Sequence, residues 1–308
     1  MTPARGALYV ATAGALALMG RSLILGPLPM WVAGVALVGY LGLILCGVFI
    51  LRLGMFVDVV WRGPSDARGV ALTFDDGPSP EHTPKVLDLL DAADVKATFF
   101  VIGRKVKLYP ELVREIVARG HAVGVHGYDH DRLFSLRTPE SIRLDLARAV
   151  AAIAAASGQA PTLFRPPIGH TSPRIAGALE AFDFTVVGWS VRGLDGLGGA
   201  RPERVAARIV PHLGDGAIVL LHDAAENEDF TPASLAALPR ILAAMAARNL
   251  PGVRVDAWLD EAAGSEGVPL TEGHDPHVVN SVRPDRGGEA AEGEDHRQEQ
   301  AADGAEGE

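Results

Sequence analysis

The chain has 308 residues, with 28 Lys and Arg against 38 Asp and Glu, for a formal net charge of −10. That length admits one large domain or two smaller ones, and the acidic balance without a basic patch excludes a nucleic-acid surface. The single cysteine, Cys46, excludes a disulfide within one chain and a cysteine metal cluster.

In chain order, residues 1–57 come first and are overwhelmingly apolar. Residues 28–51 carry no charge and exceed the roughly 20 residues needed to cross a bilayer. Residues 6–20 are apolar but short, and reach spanning length only by continuing past Arg21, which would snorkel at an interface. Pro27 and Pro29 mark a break between the two stretches. We read a hairpin of two transmembrane helices, with one span after an interfacial segment as the alternative. A cleaved signal peptide fits poorly, because the second stretch would still anchor the product. Arg5, Arg52, Arg62 and Arg68 then share one side against Arg21. Positive-inside counting puts the globular part in the cytoplasm by only a few charges. The expected location is the bacterial inner (cytoplasmic) membrane, with the face of the globular domain left open. Residues 58–67, with Gly63-Pro64-Ser65, read as a linker.

From 68 to 262 the pattern is that of a globular domain. Strand-like runs at 70–74, 97–102, 122–125, 162–164, 185–189, 217–221 and 253–255 alternate with helical stretches. Thr83-Pro84, Thr138-Pro139, Ser172-Pro173 and Thr231-Pro232 are helix-start signals. Alternation of this kind predicts an α/β domain with a parallel sheet. Seven units favour a closed or nearly closed β/α barrel over an open sheet, with the site at the C-terminal strand ends. Residues 263–308 are rich in Gly, Glu and Asp and read as an acidic disordered tail.

Several expected strands end on polar groups. The first runs into Asp75 and Asp76 and then Gly77-Pro78, either as a solvated turn or as paired acids held for a metal or a catalytic task. The third delivers His126 and His130, a pair able to close on one metal ion, although such pairs are also common on surfaces. Two histidines and one carboxylate would leave coordination positions open, as a catalytic site requires. The fourth ends on Arg165 before Pro166-Pro167, either a surface charge or a bidentate carboxylate partner. The fifth leads to Trp189 and Asp195, and the sixth to His222 and Asp223. Taken alone, His222 would more often be a core histidine.

TFDDGP at 73–78, HGYDH at 126–130, RPPIG at 165–169, Trp189 to Asp195, and LLH at 220–222 together resemble the polysaccharide deacetylase family, which includes chitin and peptidoglycan N-acetylglucosamine deacetylases. ATFFVIG at 97–103 is also typical, and the resemblance covers about residues 68–260. It implies a distorted barrel with fewer than eight units. It implies Asp75 as general base, Asp76, His126 and His130 as metal ligands, and Arg165 as the residue that orients the base. His222 matches the general acid, Asp195 the carboxylate that tunes it, and Trp189 and Leu220 the acetyl pocket. The implied cofactor is a divalent metal, zinc before cobalt, nickel or manganese. The implied partners are an N-acylated amino-sugar polymer or a lipid-linked saccharide, at a membrane and without nucleic acid.

The chain departs from the family's habits at Gly127, where Ser or Thr is frequent, at Ile168, usually aromatic, and at Gly196, often Trp. We take these as signs of an altered substrate. A phosphatase built on two aspartates at a strand end needs one residue between them, and Asp75 and Asp76 are adjacent. The alternative of a non-catalytic carbohydrate-binding relic would be expected to lose the base or a ligand.

Overall fold

The computed structural model describes residues 1–265. Two long helices, α1 (Pro3–Leu25) and α2 (Met30–Phe49), form a hairpin, and both are long and apolar enough to cross a membrane. Thr12 Oγ1 and Tyr40 Oη meet across it at 3.0 Å. Arg5 binds the far end of the hairpin, donating to the carbonyl of Met55 and, at 2.9 Å, to Asp58.

The globular part alternates strands and helices: β1 (Val70–Asp75), α3 (Thr83–Ala92), β2 (Ala97–Val101), α4 (Gly103–Leu108), α5 (Pro110–Ala118), β3 (Ala122–Val125), α6 (Pro139–Ser157), β4 (Leu163–Phe164), α7 (Pro173–Leu179), β5 (Thr185–Val186), β6 (Val191–Arg192), α8 (Pro202–Ile209), β7 (Ala217–His222), α9 (Ser234–Ala246) and α10 (Val255–Ser265). Helix starts follow capping chemistry. Thr138 Oγ1 accepts from the Ser141 amide and Ser172 Oγ from the Ile175 amide, satisfying first-turn donors. Thr231-Pro232 stands just ahead of α9 rather than opening it.

All seven strands are parallel, in the order β5-β4-β3-β2-β1-β7-β6. Strand β1 is buried along its whole length, as a central parallel strand covered on both faces must be. The seven are not quite the expected seven. Residues 253–255 form no strand: Gly252 makes one bridge to Val70, and α10 begins at Val255. The run expected at 185–189 is instead interrupted. Its start pairs with β4, and after the break Val191 and Arg192 pair with β7. The two edges of the sheet are thus parts of one stretch of chain, and the result is an incomplete, distorted barrel.

The segment expected as a linker contributes to the barrel. The Val60 amide donates to the Val186 carbonyl at 2.9 Å, the Gly188 amide to the Val60 carbonyl at 2.8 Å, and the Gly63 amide to the Gly216 carbonyl at 2.8 Å. These pairs occupy the gap beside β5 and β7. The hairpin also meets the barrel directly. Thr171 donates its amide and its hydroxyl to the carbonyls of Val48 and Gly47, which the end of α2 would otherwise leave without partners. Phe49 stands edge-on to His170 at 4.8 Å. The acidic tail expected over 263–308 lies outside the described residues, except that its first three residues continue α10.

Candidate active site

Polar side chains gather at the C-terminal strand ends. Arg165, fully buried, follows β4. Its Nη1 donates to Asp75 Oδ1 at 2.7 Å and to Thr73 Oγ1 at 2.8 Å. Its Nε and Nη2 donate to the carbonyls of Val187 and Gly188, in the break between β5 and β6. One guanidinium therefore satisfies backbone acceptors where the sheet is interrupted and fixes the Asp75 carboxylate. It also lies 4.1 Å over the Phe100 ring. A buried cation is tolerated here because every face has a partner.

Asp76 has left-handed backbone, φ 73, a conformation in which Asp is enriched among non-glycine residues. The buried Lys105 donates to the Asp76 carbonyl at 2.9 Å and the Ala225 carbonyl at 2.7 Å, and so holds this turn. Burial, opposed by Asp76, Glu228 and Asp223, lowers the Lys105 pKa. Asp76 Oδ1 stands 3.2 Å from His130 Nε2 and 3.5 Å from His126 Nε2. That oxygen is buried and has no hydrogen-bond partner among the described residues.

His126 faces the Arg165 carbonyl through Nδ1 at 2.8 Å. A carbonyl only accepts, so Nδ1 carries the proton and Nε2 offers a lone pair toward Asp76. Burial holds the His126 pKa below the usual imidazole value, which keeps the ring neutral. His130 reaches the same point from a reversed loop in which Gly127 and His130 both have positive φ. The buried Asp145 holds that loop, accepting from the Tyr128 amide at 2.7 Å and pairing with Arg137. The left-handed φ of 77 at position 127 accounts for glycine there, since Ser or Thr would be strained. One ligand atom from each of Asp76, His126 and His130 fits within 4.8 Å of the others. An orphaned buried carboxylate oxygen facing two imidazole nitrogens, one with its tautomer set by a backbone carbonyl, suits a divalent cation.

His222 closes β7. Asp195 Oδ2 accepts from the His222 amide at 2.7 Å and lies 3.3 Å from its Nδ1. Burial disfavours the imidazolium, but Asp195, and then Asp76 and Asp75, outweigh it and raise the His222 pKa to about 9. Gly196 permits this packing: a Cβ there would fall 2.7 Å from the His222 ring. Trp at this position would need the imidazole elsewhere.

Asp75, Asp76, His126, His130, Asp195 and His222, with Trp189 and Leu220, line a cavity of about 370 Å³, while Arg165 lies behind Asp75 and outside it. Trp189 packs on Gly169, where a Cβ would come 2.3 Å from the indole. Ile168 also faces the cavity, 45% exposed, with φ 60, a strained conformation for a β-branched residue.

Glu226, Lys105 and Asp145 are supporting groups that the sequence pattern did not reveal. Glu226 stands 3.4 Å from His130 Nδ1 and pairs with Arg132 at the rim. Its only signal is an acid shortly after the sixth strand end. Lys105 and Asp145 stand inside helices, where the strand-end pattern does not reach them. Asp223 points away from the cavity. It accepts from Thr83 Oγ1 and packs against Gly77, where a Cβ would lie 2.4 Å from its Oδ2. Burial, opposed by Thr83 and Lys105, raises the Asp223 pKa to about 6.

An incomplete parallel barrel with carboxylates and imidazoles at its strand ends is the architecture of sugar-polymer deacetylases. The family model for polysaccharide deacetylase matches residues 62–187, a span that ends before Trp189, Asp195 and His222. A peptidoglycan-N-acetylglucosamine deacetylase of Bacillus cereus is 34% identical over 180 residues, covering 58% of this chain and 83% of that protein. A second B. cereus protein of the same name is 33% identical, and only 58% of its length is spanned. A chitooligosaccharide deacetylase of Bradyrhizobium is 41% identical over 162 residues, 52% of this chain and 72% of that one. Among solved structures, a CE4 family pseudoenzyme from Bacillus anthracis superposes with a TM-score of 0.60 at 27% identity, covering 68% of this chain and 72% of that one. The chain belongs to the polysaccharide deacetylase family.

Proposed function

We propose that this protein is a metal-dependent deacetylase that hydrolyses the N-acetyl, or another small N-acyl, amide of an amino sugar. Asp76 Oδ1, buried without a hydrogen-bond partner and facing two imidazole Nε2 atoms, is the observation that carries this reading. A divalent cation bound by Asp76, His126 and His130, zinc first among the candidates, would polarise the amide carbonyl and acidify water. Asp75 takes the proton from the attacking water, and Arg165 and Thr73 hold its carboxylate in place. His222, cationic at neutral pH, gives a proton to the departing nitrogen. Asp195 orients the imidazole through Nδ1 and stabilises its charge. Trp189 and Leu220 form an apolar wall for the acyl methyl.

The named relatives favour an N-acetylglucosamine-containing glycan as the substrate class. The apolar hairpin supports residues 1–57 as a membrane anchor and 68–262 as the catalytic domain, with a membrane-held glycan within reach. The B. anthracis neighbour favours a second reading, carbohydrate binding without catalysis, but here the proposed base, ligands and acid are all present. The test is acetate release from N-acetylglucosamine oligomers by metal-loaded protein. Chelation should abolish it and added zinc restore it, whereas chelator-insensitive release would reject the mechanism.

A further inference from the structure

We propose that the groove beside the catalytic cavity is a phosphate subsite, and that the substrate is an acylated amino sugar carried on a lipid phosphate. This inference rests on the deacetylase reading for the chemistry at the sugar and on the hairpin crossing a bilayer. The groove has a volume of about 350 Å³ and is lined by Phe49, Ile50, Arg52, Trp189, Ser190 and Arg192. It shares Trp189 and Arg192 with the catalytic cavity.

Three features select the ligand. Arg52 and Arg192 are exposed, and among the described residues neither has a carboxylate within ion-pair distance, unlike Arg5, Arg68 and Arg132. Two free guanidinium groups at one groove match the oxygens of a phosphate. The groove also opens where α2 ends, so that in a spanning hairpin it lies at the level of the lipid phosphates. Phe49 and Ile50, both exposed, give a hydrocarbon chain an apolar path along the helix. Finally, the two cavities adjoin. In a 2-amino sugar linked to phosphate at carbon 1, the amide and the phosphate stand on neighbouring ring atoms. The two subsites must then be contiguous, as cavities sharing a wall are. A neutral glycan polymer has no anion to meet these arginines.

The test uses the full chain in detergent micelles or nanodiscs and two probes of equal chain length, a polyprenyl phosphate without sugar and the corresponding polyprenol. Binding is read by native mass spectrometry or fluorescence titration. The phosphate should bind at least about tenfold more tightly than the alcohol, since a charge-assisted hydrogen bond alone contributes that much. The preference should vanish in the Arg52→Gln, Arg192→Gln double variant, return in part with Lys at both positions, and survive Arg240→Gln on a distant surface. Equal binding of the two probes, or a preference that survives the double variant, overturns the subsite. Displacement by inorganic phosphate at the same concentration as the lipid overturns the lipid source. Hydrolysis of neutral N-acetylglucosamine oligomers is measured separately. Its absence in metal-loaded protein, together with no acetate release from a polyprenyl-phosphate-linked N-acetylglucosamine, rejects the deacetylase reading, while the probe titration still decides whether the groove selects a lipid phosphate.

Discussion

Adjacent carboxylates would ordinarily repel, yet at the end of β1 each has its own counterpart. Asp75 is held by Arg165, and Asp76 faces the two histidines. This division predicts different variants. Asp76→Ala should lose bound metal, measured by elemental analysis of the purified protein. Asp75→Asn should keep the metal and lose turnover by about a hundred- to ten-thousand-fold, the usual contribution of a general base. As the proposed acid of the same cavity, His222 can give a proton only while it is protonated. With its pKa raised to about 9, the protonated form persists through neutral pH and is lost as pH rises through that value. Removing the Asp195 charge lowers the His222 pKa, so Asp195→Asn should move the alkaline limb of the kcat/KM profile downward by about one unit or more. An unmoved limb would mean that another group is the acid.

The β1 turn depends on close approach as much as on charge. Gly77→Ala would drive a methyl group into the Asp223 carboxylate, a clash expected to cost about 1–3 kcal/mol in a thermal or urea unfolding series. The sequence revealed this level of structure unevenly. Strands β1, β2, β3 and β7 were legible because each is a continuous apolar run of adequate length with a polar stop. The run at 185–189 is broken for a reason its own residues do not encode: Arg165, 22 residues before Val187, takes up carbonyls of the break. Residues 58–67 read as a linker because Gly-Pro-Ser punctuates them, but backbone pairing by Val60 and Gly63 follows from neighbours far along the chain. The candidate site was legible through its strand-end positions and the family resemblance. Lys105, Asp145 and Glu226 were not, since a buried charge carries no sequence mark until its partners are known. A truncated chain beginning at Asp58 should therefore fold, while one beginning at Pro64 should melt measurably lower.

For the whole molecule, the hairpin and the barrel are in direct contact through Thr171 and His170, so the cavity lies close to the end of α2. The proposed role of the hairpin is proximity to the bilayer, with Arg52 at its end lining the groove beside the cavity. The chain beginning at Asp58 should hydrolyse a small soluble substrate and lose efficiency mainly toward a substrate held in the same liposome, where tethering raises effective concentration. Equal losses on both substrates would make the hairpin part of the catalytic machinery. The central claim is amide hydrolysis that depends on a cation at Asp76, His126 and His130 and on Asp75 as base. The most direct measurement is acetate release from N-acetylglucosamine oligomers as metal-stripped protein is titrated with zinc, with bound metal counted at each point. Turnover should rise in proportion to occupancy and level off at one ion per chain, with Asp75→Asn binding the same ion and remaining nearly inactive. Turnover independent of occupancy, or an Asp75→Asn variant as fast as the native protein, would contradict the account.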